Sequence, residues 1–173
     1  HLLDVAGGSG FFTYEWLRAH PESTATLFDC GAVLDTAKEY LKYFCEKHKD
    51  DSIKNRVVFL AGDMMTDDLP QTDLLLTASI FHDWPEETIR PLVKRFSEVI
   101  NPGGEFWIHD SFLNDDFNGP KATADYSAKL FKVTKGRCYS RQEHYTWLTE
   151  VGLSLGRPVD TAMDYSLISA LKV

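Results

Sequence analysis

Short apolar segments alternate with longer amphipathic segments along the chain, and this alternation constrains the fold more than any other feature. The first kind is typical of buried parallel strands, and the second of the helices that connect them. The predicted strands are 2–6, 25–28, 57–60, 73–77, 105–109, 153–159 and 165–172. The predicted helices are 11–19, 32–48, 85–100, 119–134 and 141–151. The pattern predicts a doubly wound α/β fold whose mostly parallel, seven-stranded sheet carries helices on both faces.

Size and charge indicate one domain, residues 1–173, and disfavour several kinds of partner. The net charge is −8 and no basic stripe is visible, which argues against nucleic acid and against anionic membranes. No apolar run reaches the roughly 20 residues that a membrane span needs. The 3 cysteines show neither paired spacing nor a zinc pattern, so we expect a reducing, cytoplasmic location and no metal.

A glycine-rich turn after the first strand is the first indication of a ligand site. Gly7, Gly8 and Gly10 let the backbone turn sharply, and the next helix offers free N–H groups to an anionic group. Asp29 ends the second strand, about twenty residues later, where a carboxylate can accept hydrogen bonds from ribose hydroxyls. Because ligands of doubly wound sheets bind at the carboxyl ends of strands, we expect Asp4 and the glycines to meet Asp29 there.

The segment after the third strand favours one nucleoside cofactor over another. Gly62, Asp63 and Met64 offer a carboxylate and a flat apolar contact, which suit the amino group and the face of an adenine. The dinucleotide pattern GxGxxG, started at Gly8, would need a small residue where Thr13 stands. These features favour S-adenosylmethionine and disfavour a nicotinamide oxidoreductase.

His82 follows the fourth strand, near the expected position of a transferable methyl group. Histidine has an unperturbed pKa of about 6.5 and can therefore take a proton from an acceptor hydroxyl. The alternative is a structural role, in which His82 starts a helix that Asp83 caps. Strand alternation places His109 on the side of the sheet opposite to Asp110.

These motifs together resemble the class I O-methyltransferases of the acetylserotonin and caffeate type. The matching stretches are residues 3–10, 28–29, 62–64, 82–84, 101–104, 119–120 and 126–127. The resemblance covers essentially the whole chain, and the HDW segment at 82–84 is its most specific element. It implies that the glycine loop, the acidic residue after the second strand and the GDM segment bind S-adenosylmethionine, and that the HDW histidine is the general base.

This chain departs from the family at several positions that surround the histidine. The family has two acidic residues near this histidine. The first, after the fifth strand, corresponds to Asp110, but the second is replaced by Cys138. A lysine or arginine that helps to hold the cofactor is replaced by Ala78 and Ser79, so Ser79 is the expected cofactor contact there. A family asparagine near the acceptor corresponds to Lys129.

The sequence therefore predicts an O-methyltransferase that acts on a hydroxyl of a small aromatic or conjugated molecule, with His82 and Asp110 as catalytic residues. Two alternatives stay open: a relative that catalyses decarboxylation or rearrangement, and a non-catalytic binding protein. Several aromatic residues are candidates for the acceptor pocket: Trp84, Phe112, Tyr126, Phe131 and Tyr139. The chain opens on a core strand, whereas the resembling family carries an N-terminal helical domain, so we expect a homodimer formed through a region absent here.

Overall fold

Parallel pairing dominates the sheet of this protein, whose computed structural model describes residues 1–173. The strands are Leu2–Val5 (β1), Ala25–Asp29 (β2), Val57–Ala61 (β3), Thr72–Ala78 (β4), Ile100–Asp110 (β5), Leu153–Leu155 (β6), Val159–Asp160 (β7) and Ser166–Lys172 (β8). Their order is β3-β2-β1-β4-β5-β8-β6, and β7 also pairs with β8. The first five strands in this order are parallel, and β8 runs antiparallel to its neighbours. The predicted doubly wound, mostly parallel fold is confirmed.

Helices connect the strands as the alternation predicts. They are Phe11–Ala19 (α1), Gly31–His48 (α2), Glu86–Val99 (α3), Lys121–Leu130 (α4) and Arg141–Glu150 (α5). Short 3-10 helices cover Ser52–Asn55 and Phe81–Asp83, and the second of these contains His82. None of the helices has the length and hydropathy of a membrane span.

The single predicted strand 153–159 is wrong, because β6 and β7 are separate strands on the same edge of β8. The N–H of Gly156 still donates to the Ser169 carbonyl, at 2.7 Å. Pro158 follows two residues later and has no N–H to give to the ladder, which is consistent with an interruption at this point. The sheet consequently contains eight strands instead of the predicted seven.

The predicted helix 119–134 is also too long, since α4 ends at Leu130. The N–H groups of Lys132 and Val133 donate to the carbonyls of Lys129 and Leu130, so the chain leaves the helix through tight turns. Gly136 then lies against the HDW segment: an added Cβ would stand 2.5 Å from the carbonyl oxygen of His82. The segment that follows α4 is therefore fixed beside the histidine.

Two apolar clusters hold the helices on opposite faces of the sheet. One cluster joins α1 and α2 to β1, β2 and β4 through residues such as Leu17, Leu27 and Phe44. The other joins α3 and α5 to the opposite face, where Phe106 and Trp147 are fully buried. The burial of apolar side chains on both faces is what stabilises a parallel sheet of this kind.

One part of the sheet face on the α1 side stays open. A groove of about 1070 Å³ runs between α1 and strands β4, β5 and β8, and we call it the apolar groove. Its wall includes Phe12 and Trp16 of α1, together with Leu76, Trp107 and Leu167 of the sheet. An exposed apolar surface of this size marks a place where another polypeptide segment or a ligand can bind.

Candidate active site

The glycine loop between β1 and α1 is built so that its backbone passes close to side chains of the sheet. A Cβ on Gly7 would stand 2.2 Å from the Leu27 side chain and 2.7 Å from the carboxyl carbon of Asp4. Gly8 and Gly10 have φ values of 59° and 80°, in the left-handed region that glycine adopts readily. No larger residue fits at Gly7 without moving its neighbours.

Asp29 ties the end of β2 to this loop. One of its carboxylate oxygens accepts a hydrogen bond from the N–H of Gly8 at 2.9 Å. The other accepts from the N–H of Cys30 at 2.7 Å. Asp29 and the loop therefore form one unit, as the strand-end rule predicts.

A cavity of about 420 Å³ lies beside that unit, within the range of about 300–1,000 Å³ that is common for small-molecule sites. Its lining combines apolar and acidic groups: Ala6, Phe28, Asp29, Cys30, Gly31, Gly62, Asp63 and Met64. Gly62 permits close approach, since an added Cβ would meet the Phe28 ring at 2.6 Å. The cavity brings together the predicted residues Asp29, Gly62, Asp63 and Met64.

Asp4 is a buried carboxylate next to the loop, with one oxygen unmatched. Its Oδ2 accepts from the Thr13 hydroxyl at 2.6 Å, whereas its Oδ1 is buried with no hydrogen-bond partner. Burial is the main cause that raises the pKa of Asp4 to about 7. A buried acceptor without a partner is costly, and a cationic ligand nearby would lower that cost. The chemistry of Asp4, Asp29 and the cavity fits a positively charged nucleoside.

His82 lies at the same edge of the sheet and is buried, with 4% of its surface exposed. Its Nδ1 stands 2.7 Å from Oδ1 of Asp110, the last residue of β5, and this carboxylate also accepts from the N–H of Ser111. Asp83 contributes a second carboxylate, 3.8 Å from Nε2 of His82. On the other side, the Tyr126 hydroxyl of α4 lies 3.0 Å from the same Nε2.

The surroundings of His82 raise its pKa above the usual histidine value. Burial acts in the opposite direction, but the hydrogen bond to Asp110 and the charges of Asp110 and Asp83 outweigh it. A carboxylate on Nδ1 also holds the proton there, which leaves the lone pair on Nε2. His82 is therefore oriented as a proton acceptor through Nε2.

Cys138 is a neutral thiol near this pair. It is fully buried, and its N–H donates to the Ser127 hydroxyl at 3.1 Å. Burial, followed by the charge of Asp110, raises the pKa of the thiol to about 12. Cys138 therefore does not replace the family's second carboxylate, and the acidic groups at His82 are Asp110 and Asp83.

Ser79 and Lys129 do not join the residues gathered around the cavity and the histidine. Ser79 has a φ of 58°, donates its N–H to the His109 carbonyl and lines the apolar groove. His109 lines the same groove and stacks on Tyr165, on the side of the sheet that strand alternation predicts. Lys129 is exposed on α4.

The aromatic residues expected to form an acceptor pocket separate into different environments. Phe112 and Tyr139 belong to the buried core, and Phe131 is 75% exposed. Trp84 is partly buried, and its carbonyl accepts from the Tyr139 hydroxyl. Of this group, Tyr126 makes the hydrogen bond to His82.

Sequence reasoning missed two close approaches at His82: the hydrogen bond from Tyr126 and the packing of Gly136. The pair Tyr126-Ser127 was visible as a motif, but nothing in the sequence placed the hydroxyl on the imidazole. Gly136 lies outside the motifs and was assigned no role from the sequence. Its lack of a side chain is required because the backbone of the HDW segment lies in contact with it.

A doubly wound sheet with an acidic cavity at β2 and a buried histidine–carboxylate pair at β4 and β5 is the arrangement that the motifs predict for a methyltransferase. The comparison with protein families agrees, since the O-methyltransferase domain model matches residues 1–154. The chain therefore belongs to this O-methyltransferase family, whose methyl donor is S-adenosylmethionine. The resemblance stated from the motifs is confirmed.

Individual relatives show the extent of the similarity. An O-methyltransferase family 2 protein from Planctomyces limnophilus, solved in complex with apigenin, has a TM-score of 0.90 at 35% identity, over 99% of this chain and 50% of that chain. Human acetylserotonin O-methyltransferase is 29% identical over 171 residues, 99% of this chain and 47% of its own length. Its structure with S-adenosylmethionine gives a TM-score of 0.86.

A curated bacterial relative extends the comparison. The 3-hydroxy-5-methyl-1-naphthoate 3-O-methyltransferase of Streptomyces sahachiroi is 30% identical over 159 residues, which is 91% of this chain and 44% of that protein. The chain thus spans about half the length of the curated relatives that it matches.

The raised pKa of Asp4 gives a prediction about stability. Because the folded pKa is about 7 and the unfolded value is about 3.9, ionisation of Asp4 opposes folding as the pH rises from 4 towards 7 and above. Asp4→Asn should therefore stabilise the cofactor-free protein more at pH 8 than at pH 5, by on the order of 2 kcal/mol. Urea unfolding at both pH values measures this difference, with the exposed Asp35→Asn as the control. An equal effect of Asp4→Asn at both pH values would contradict the assignment.

Proposed function

We propose that this chain is the catalytic domain of an S-adenosylmethionine-dependent O-methyltransferase, and that it methylates a hydroxyl of a small aromatic or conjugated molecule. The observation that carries the proposal is the buried His82–Asp110 pair, whose members follow β4 and end β5 at the sheet edge where Asp29 ends β2. One strand-end cavity would hold the nucleoside, and the histidine would receive the proton of the acceptor.

The residues around the glycine loop are suited to each part of the cofactor. S-adenosylmethionine supplies a methyl group on a positively charged sulfur. We assign the ribose hydroxyls to Asp29 and the adenine to Asp63 and Met64, because a carboxylate and an apolar side chain line the same cavity. Asp4 is assigned a charge-balancing role, since its buried carboxylate retains an unpartnered oxygen. Ser79, directly after β4, is a further proposed contact of the cofactor.

In the proposed reaction, Nε2 of His82 would accept the proton of the acceptor hydroxyl, and bound S-adenosylmethionine would supply the methyl group and leave as S-adenosylhomocysteine. Asp110 keeps the opposite nitrogen protonated and stabilises the positive charge that His82 acquires. A phenolic hydroxyl suits this base, because its pKa of about 10 lies much closer to that of histidine than an alkyl alcohol's does. The relatives named above are described with aromatic acceptors or ligands, which supports the same class of acceptor here.

The apolar groove supports a further part of the proposal. We propose that a region outside these 173 residues covers the groove and forms the homodimer expected from the family resemblance. The groove exposes Phe12 and other apolar side chains that a stable protein normally covers.

Sedimentation should show the 173-residue domain as a monomer and the whole protein as a dimer. A tight dimer of the domain alone would contradict this part.

The cofactor assignment predicts a loss of affinity in Asp29→Ala. The variant removes the carboxylate that would accept hydrogen bonds from the ribose, so binding should weaken by roughly 1.5–3 kcal/mol. Calorimetry with S-adenosylhomocysteine measures the change, and Asp35→Ala on the exposed surface of α2 is the matched control. Equal affinity in the wild type and in Asp29→Ala would show that Asp29 does not bind the cofactor.

The catalytic assignment predicts a selective loss of turnover in His82→Ala. Without its general base, the protein should have a kcat that is roughly 10²–10⁴-fold lower, with little change in cofactor affinity. Asp35→Ala, on the exposed surface of α2, is the control. Near-wild-type turnover in His82→Ala would show that another group takes the proton. Tight cofactor binding by a wild type that methylates no acceptor would instead favour a non-catalytic binding protein.

The pKa of His82 predicts how the rate depends on pH. The neutral imidazole is the active form, so kcat/KM should rise with pH through an inflection above the usual histidine value. Asp110→Asn removes the charge and the strong hydrogen bond that raise this pKa but leaves the burial that lowers it. Its inflection should therefore lie at lower pH, with a reduced maximum. An inflection at the same pH in Asp110→Asn and in the wild type would show that Asp110 does not raise the pKa of the group that controls the rate.

A further inference from the structure

Tyr126 engages the only nitrogen of His82 that is free to act as a base. Its hydroxyl oxygen lies 3.0 Å from Nε2, and the two rings meet edge to face with centroids 5.3 Å apart. Nδ1 is already bound to Asp110 at 2.7 Å, so the imidazole proton resides on that nitrogen. The Nε2 lone pair consequently accepts a hydrogen bond from the O–H of Tyr126.

The groups that surround this contact keep the phenol in its donor form. Burial, followed by the charges of Tyr165, Asp110 and Asp83, raises the pKa of Tyr126 to about 12. Asp83 on the 3-10 helix and Asp110 on β5 are the carboxylates that face His82. Cys138 acts on the pKa of Tyr126 in the same direction, and the pKa of its own thiol is raised to about 12. The protonated phenol of Tyr126 is thus hydrogen-bonded to His82. In the proposed reaction the same nitrogen of His82 must bind the hydroxyl of a phenolic acceptor.

We propose that Tyr126 is a positioning residue that fills the place of the acceptor hydroxyl on His82 and gives it up when a phenolic acceptor binds. This inference rests on the proposed function and makes it more specific. While Tyr126 is bound, the hydrogen bond favours the neutral imidazole, so the base is kept ready for a proton. When the acceptor enters, its hydroxyl replaces one phenol–imidazole hydrogen bond with another of the same chemistry.

The surroundings of Tyr126 allow this exchange without disturbing the core. The tyrosine is only partly buried, and its helix α4 buries just Thr123, Ser127 and Leu130. Phe131, directly after the helix, is 75% exposed. His82 and Asp110, by contrast, are almost fully buried. Tyr126 is therefore the less enclosed partner of the pair, and we expect it to move when the acceptor binds while His82 stays in place.

The test uses Tyr126→Phe, which keeps the ring and removes the hydroxyl. In the cofactor-free protein labelled with ¹⁵N-histidine, the Nε2 resonance of His82 should move and its pKa should rise, because the neutral imidazole loses a donor. Apigenin serves as the phenolic probe, and its Kd in the presence of S-adenosylhomocysteine should fall roughly two- to tenfold, since no internal hydrogen bond must be broken. The exposed Tyr43→Phe should change none of these values.

Two results would overturn the inference. One is an unchanged ¹⁵N resonance and pKa of His82 in Tyr126→Phe, which would mean that the hydrogen bond does not form in solution. The other is an unchanged or weaker affinity for apigenin, which would mean that the hydroxyl does not compete with the acceptor. These results are independent of turnover in His82→Ala, so a failure of the proposed general base is distinguishable from a failure of the role of Tyr126.

Discussion

The hydrogen bond between His82 and Asp110 joins the segments that follow two neighbouring parallel strands, and the chemistry proposed for this protein depends on it. The pair lies 2.7 Å apart and is nearly fully buried. Burial alone would make the imidazole a weaker base, and the carboxylate reverses that effect. It also selects the nitrogen that can accept a proton. The contact with Asp110 thus sets the direction of the proposed base and, together with the charge of Asp83, its basicity.

The remaining parts of the site are arranged around the same edge of the sheet. Asp29 lines the cavity and also connects β2 to the glycine loop through the N–H of Gly8. Asp4 lies beneath that loop with a pKa raised to about 7, a cost in stability that is consistent with a ligand role. The role proposed for Asp4 therefore comes with a cost in the stability of the cofactor-free protein.

Much of this arrangement could be predicted from the sequence because it depends on local pattern and on one topological rule. Strand-end positions placed Asp29, Asp63 and His82 at a common edge, and parallel pairing brings them there. The break between β6 and β7 was missed because the apolar pattern of 153–159 continues past Pro158. The contact between Tyr126 and His82 spans 44 residues and depends on how α4 is rotated against the 3-10 helix, which no local pattern records.

A crystal structure of the protein with S-adenosylhomocysteine and a phenolic acceptor would test the central claim most directly. The account predicts the nucleoside against Asp29 and Met64, and the acceptor hydroxyl within hydrogen-bond distance of Nε2 of His82, with the Tyr126 hydroxyl displaced from it. An acceptor whose hydroxyl is bound away from His82, with the nucleoside in place, would contradict the proposed role of this histidine.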